Sequence, residues 1–256
     1  MDPLRGPWLK IERANSHLED FNASFSAWTA TNPYELVVDS DSQGTEQIVK
    51  IRRQSPLPEA LINIAADAIH NFYAALDQAT FVLATEIAGC TDTNALREVY
   101  FPIGADKSAF QKRISRGLAR GYFTHDIADF FCEIEPYLGG RGASLYALHR
   151  LDLADKHRSV IDLHSADVLR VNHLRSGRWF HVNGEEVEIG RHSKQTNLEY
   201  NPKVLYRLFF NDVEGVPRQS LQMMGVYREL VTRVVHGAEA RFFPVIADQQ
   251  AAPFRA

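Results

Sequence analysis

The segment LHRLDLADKHRS, residues 148–159, gathers the side chains best suited to chemistry. Arg150 and His157 stand seven positions apart, about 700° around a helix, which leaves them within about 20° of each other on one face. Such a face suits a phosphate, because a guanidinium forks onto its oxygens while an imidazole moves a proton near neutral pH. Asp152 can pair with Lys156 four residues on, and Asp155 with Arg158 three residues on. Arg150 and His157 are then the members without an intrahelical acid. The same cluster also has a purely structural reading, since charges on a buried helix persist when they form ion pairs with neighbouring elements.

A second polar group lies in AIHNFYAALDQA, residues 68–79. His70 and Asp77 repeat the seven-residue spacing, Asn71 and Gln78 flank them, and Asp67 precedes Asn71 by one turn. If this face meets the helix of Arg150, Asp77 can orient His157 or pair with Arg158. Otherwise it is the solvated side of an amphipathic helix. Gly139-Gly140-Arg141-Gly142 offers either an anion-binding turn ahead of that helix or a flexible connector. Arg113, Arg116, Arg120 and Arg141 form the nearest approach to a basic patch, with Tyr122 and Phe123 beside it. That patch reads as a seat for an RNA backbone or as a solvated helix face. Ten histidines are present, yet no HxxxH or HExxH spacing occurs, so no dedicated metal site and no cofactor are expected. No GxSxG elbow is present, and neither Cys90 nor Cys132 has a neighbouring histidine.

The elements that must position these groups follow from apolar spacing. Residues 7–28 read as an amphipathic helix closed by Pro33, and 34–38 with 47–52 as a hairpin. A long helix runs from Pro58 to about Ala88 before Gly89, its apolar face carrying Ile64, Ala68, Phe72, Ala75 and Leu76, so burial on one side only is expected. Shorter helices are expected over 106–118 and 125–137. A central helix from about Ser144 to Ile161 is apolar on nearly every side. Beyond Asp162 the period shortens to two, with Asn183-Gly184 marking a hairpin between the β-rich runs around it. A last helix spans about Arg218–Phe242, and the final ten residues look frayed. The expected fold is α+β: a mostly helical bundle core (about 7–161 and 218–242) with an N-terminal hairpin and a β-rich insert (about 162–212), in one domain over 1–256.

Composition narrows the classes. An apolar fraction of 45% and a charged fraction of 23% exclude a disordered chain, a collagen-like repeat and a coiled-coil rod. The net charge of -4 and pI of about 6.2 give no global attraction to DNA or to an acidic membrane, so any nucleic-acid site must be local. Two cysteines 42 positions apart point to a reducing cytosol rather than a disulfide framework. Neither a signal-peptide core nor a stretch of about 18 uncharged apolar residues occurs, so export and a membrane span are not expected.

Five motifs together resemble a family of uncharacterised bacterial proteins. They are Arg13-Ala14 with His17-Leu18, His70-Asn71 with Ala75-Leu76-Asp77, Phe101-Pro102-Ile103, Glu135-Pro136-Tyr137, and Asp155-Lys156-His157-Arg158. That family usually carries Arg-Ser where this chain has Tyr73-Ala74, and the resemblance brings no activity with it. More distantly, Arg150 and His157 resemble the Arg-x4-6-His motif of the HEPN helical superfamily, although Leu151 follows the arginine where that family commonly has a polar residue. The resemblance implies a metal-independent endoribonuclease of toxin or phage-defence type, with a composite site built across a homodimer and cleavage through the RNA 2′-hydroxyl. It implies His157 as general acid/base and Arg150 as stabiliser of phosphate charge, with Asp155, Lys156 and Arg158 around them. The expected partners are then RNA and a second copy of the chain. The other reading is a non-catalytic binding or regulatory module, in which Asp77, Asp155 and Arg158 only hold helices together.

Overall fold

The computed structural model describes residues 2–157, 163–173, 176–182, 186–194, 202–210 and 222–244, and for 155–157, 163–173, 176–182, 202–207 and 209 the backbone alone. The order of elements is α1 (Arg5–Ala30), β1 (Tyr34–Ser40), β2 (Glu46–Arg53), α2 (Glu59–Val82), a π-helical turn (Leu83–Ile87), α3 (Thr93–Leu96), α4 (Lys107–Ala119), α5 (His125–Ile134), α6 (Ala143–His157), β3 (Leu163–His173), β4 (Ser176–Val182), β5 (Glu186–Ser193), β6 (Pro202–Phe210) and α7 (Met223–Phe242). The chain is mostly helical and α+β, as its periodicity requires. No described helix is long and apolar enough to cross a membrane.

The described residues fall into two compact units. One is helical and takes them from Met1–Glu19, Ile64–Val160 and Met223–Ala256; the other takes them from Asp20–Asn63 and Ile161–Gln222. In the helical unit α2 and α6 carry fully buried Ile69, Phe72, Leu76, Leu145 and Leu148, and α7 adds Tyr227, Val231 and Val235. Local chemistry sets the helix ends. The Asp106 carboxylate accepts from Ala109 N–H at 2.8 Å to start α4, and Thr124 Oγ1 accepts from Ile127 N–H at 3.2 Å to start α5. Helix α5 stops at Ile134 because Glu135 turns left-handed at φ 54°, three residues short of the expected end. Gly117 allows the ring of Phe123 to lie directly on the α4 backbone, where a Cβ would collide with it.

Helix α2 largely keeps the one-sided burial its pattern suggests, with Asn63, Asp67 and Gln78 exposed. The exception on its polar side is Asn71, only 4% exposed, and Tyr73 at the edge of the apolar face is buried as well. A broad apolar face shows where a helix must be buried; it does not mark the other side as solvent.

In the second unit β1 pairs antiparallel with β2 and β2 with β5, while β4 and β6 flank β3 in a separate antiparallel sheet. The Asn183-Gly184 signal therefore does not join β4 to β5 in one ladder; residues 183–185 lie outside the described residues. Charge across strands explains the choice of partner. Basic β2 meets acidic β5, with Lys50 Nζ 2.8 Å and Arg52 Nη2 2.8 Å from the Glu186 carboxylate, and Asp39 on β1 closing on Lys50 at 2.9 Å. Those two cations hold the Glu186 carboxyl below its usual range. The aromatic ladder Phe21, Phe25, Trp28 and Tyr34 links the end of α1 to the start of β1.

Candidate functional site

The polar face of α2 does meet α6, inside the helical unit. His70 Nδ1 lies 3.0 Å from Asp152 Oδ1, and Asp152 is only 1% exposed. One turn on, the ring of Tyr73 packs on that of His149 with centroids 4.9 Å apart. A bare carboxylate in such a place is costly, and a half-exposed imidazole offers it a donor without burying a second full charge. With the ring N–H on Nδ1, the His70 lone pair is left on Nε2.

The other polar residues of this face serve packing. Asn71 donates from Nδ2 to the Asp67 carbonyl at 2.8 Å and accepts from Lys10 Nζ on α1 at 3.3 Å. Asp77 Oδ1 accepts from the Phe101 backbone N–H at 2.9 Å. Three of the five sequence motifs are thereby tied together. Asp77 anchors the Phe-Pro-Ile segment, which continues into Gly104, whose N–H bonds the Pro136 carbonyl at 3.2 Å within Glu-Pro-Tyr. Burial, with Asp77 and Asp152 nearby, pushes the Tyr73 phenol up; Arg113 opposes them.

Asp152 is the residue that sequence reasoning missed as a partner for His70, having been assigned to Lys156. The signal was available: an acid on a helix apolar nearly all round needs a donor from elsewhere. Asp155, Lys156 and His157 form the last described turn of α6, and their side chains lie outside the described residues, as does Arg158 altogether. The expected Asp152–Lys156 and Asp155–Arg158 pairs fall there too.

Arg150 is half-buried on α6, and its Nε is enclosed without a hydrogen-bond partner among the described residues. Its position is about 200° around the helix from Asp152 and about 20° from His157. Helix α6 thus divides its polar residues, sending Asp152 to α2 and carrying Arg150 with His157 on a different face.

Arg141 is committed at the turn before α6. Glu135 Oε2 accepts from its backbone N–H at 3.2 Å and from its Nε at 3.1 Å, while its Nη2 donates to the Glu133 carbonyl at 2.6 Å. These donors hold the Glu135 carboxyl below the usual carboxylate range. An anion does sit on the glycine-rich turn, but it is the chain's own side chain. Arg141, expected in a patch with Arg113, Arg116 and Arg120, is attached at Glu135. Tyr122 and Phe123, expected beside that patch, are buried with 4% exposure each and serve the core. Arg120 Nη2 donates to Glu98 at 3.1 Å.

The chain matches no protein-family model, no curated protein and no solved structure. What the site can do follows from its own residues: an arginine with no ion pair among the described residues, a histidine two turns along the same face, and a seam that holds their helix in place.

Proposed function

We propose that the protein is an endoribonuclease of HEPN-like, metal-independent type, with Arg150 and His157 as its catalytic pair. The observation that supports this most is the state of Arg150: among the described residues it makes no ion pair, whereas Arg141 and Arg241 in the same unit each fork onto acceptors. A guanidinium left without an acid is available to phosphate oxygens. In the reaction, the RNA 2′-hydroxyl attacks the adjacent phosphorus, forming the O2′–P bond while the P–O5′ bond breaks. His157 moves the proton, and Arg150 stabilises the charge developing on the non-bridging oxygens. The products are a 2′,3′-cyclic phosphate and a 5′-hydroxyl. The reading includes a homodimer in which two such pairs form one composite site, and it fits a toxin or defence role.

A second reading has its own support. His70–Asp152 and Asp77 with the Phe101 N–H are tethers between elements, as in a non-catalytic binding or regulatory module. Cleavage of end-labelled RNA in the presence of EDTA separates the two. Arg150→Ala and His157→Ala, compared at equal folded yield, are each expected to lower the rate by about a hundredfold or more. Cleavage at the wild-type rate in both variants removes the proposed mechanism, and no cleavage by the wild type leaves the binding module.

A further inference from the structure

Helix α4 carries the strongest concentration of uncompensated charge among the described residues. From Lys107 to Arg120 the sequence KSAFQKRISRGLAR contains five cations and no acid. Phe110, Ile114 and Gly117 turn into the core, and Lys112, Arg113, Arg116 and Arg120 are exposed. At 100° per residue these four fall within an arc of about 100°, and Lys112 to Arg120 spans about 12 Å along the axis. Arg120 is paired with Glu98, but Lys112, Arg113 and Arg116 make no ion pair among the described residues. Their like charges repel at i,i+3 and i,i+4, a standing cost to the helix that a polyanion would relieve.

Tyr100 supplies a second element. It is an exposed aromatic, 57% accessible, on the segment that joins α3 to α4, next to the Phe101 amide that Asp77 holds.

We infer that the outer face of α4, with Tyr100, is a docking surface for the backbone of single-stranded RNA. The inference rests on the ribonuclease reading for its choice of polyanion. Three cations within one arc match successive phosphates of an extended strand, and an exposed ring suits a splayed base, which a duplex does not offer. Chain-wide charge plays no part, since the protein is net -4 and the attraction belongs to this strip alone.

The test is binding of a short fluorescein-labelled 2′-O-methyl oligouridylate, followed by anisotropy over a range of salt. The methylated strand cannot be cut through its 2′-oxygen, so binding is read apart from cleavage. The combined variant Lys112→Gln, Arg113→Gln, Arg116→Gln is expected to bind about tenfold or more weakly, with the logarithmic salt slope reduced by about 2. Tyr100→Ala is expected to lose about tenfold through stacking. All four positions are exposed, and an unchanged melting temperature checks the fold. Wild-type affinity and slope in the combined variant overturn the inference, as does absence of binding by the wild type. Equal competition by polyglutamate overturns it in favour of an acidic protein partner. A protein that cuts RNA while its α4 variant binds normally keeps the nuclease and loses this surface. One that binds through α4 without cutting keeps the surface and loses the nuclease.

Discussion

The polar side chains of α2, which meets α6, and those on the outer face of α4 arrive at opposite states. Along α2 the polar side chains are committed: His70 to Asp152 on α6, Asn71 to Lys10 on α1 and to the Asp67 carbonyl, Asp77 to the Phe101 amide. On α4 three adjacent cations have no acid among the described residues and stand in solvent. Burial accounts for the difference. A polar group enclosed by protein must be paired or it destabilises the fold, whereas water solvates an exposed cation at little cost. Seam residues are thus held by stability, whereas the fold does not require a partner for the exposed α4 cations. Arg150 lies between the two states, half-buried and with its Nε unpartnered among the described residues.

The largest effect that could break this contrast lies in the seam. Asp152→Ala is expected to lower stability by about 2–4 kcal/mol in chemical denaturation, because it removes a buried acceptor and leaves a gap. Asp152→Asn, which keeps the volume, should lose less. A loss below about 1 kcal/mol for the alanine variant would mean that the seam does not hold α2 to α6.

On α4 the sign reverses. Replacing Lys112, Arg113 and Arg116 by glutamine is expected to leave stability unchanged or raise it by a few tenths of a kcal/mol, since like-charge neighbours are relieved. Loss of more than about 1 kcal/mol in the same denaturation experiment would show that these side chains have structural partners.

The smallest effect concerns the turn before α6. Glu135 titrates below its ordinary 4.5 because it accepts from Arg141. A carboxyl lowered on folding stabilises the native state above its unfolded pKa, and that contribution is lost as pH falls through the folded value. Glu135→Gln should therefore flatten the acid limb of the stability profile below about pH 4.5 without altering it at neutral pH. An unchanged acid limb would mean that the Arg141 contacts do not persist in solution.

Much of the architecture was legible because helical faces and caps are local. The spacing of Phe110, Ile114 and Leu118 placed α4, Thr124 began α5, and Pro58 with Gly89 bounded the long helix and its π-helical turn. The hairpin of β1 and β2 was equally plain. Where chain neighbours compete with distant partners, the reading diverged. Asn183-Gly184 favours a local turn, but Glu186 across from Lys50 and Arg52 gives β5 to β2. Tyr122 and Phe123 stand beside the basic patch in sequence, whereas both rings turn into the core.

The candidate site divides along the same line. That Arg150 and His157 lie on one face, and that α4 carries five cations with no acid, are properties of spacing and composition that no packing can alter. That Asp152 belongs to His70, 82 positions away, that Asp77 holds the Phe101 amide, and that Arg141 is taken by Glu135 were decided by tertiary structure alone. Periodicity specifies which side of a helix a residue occupies. Only the packing of elements distant in the chain determines which groups are sealed from water, and therefore which must find a partner.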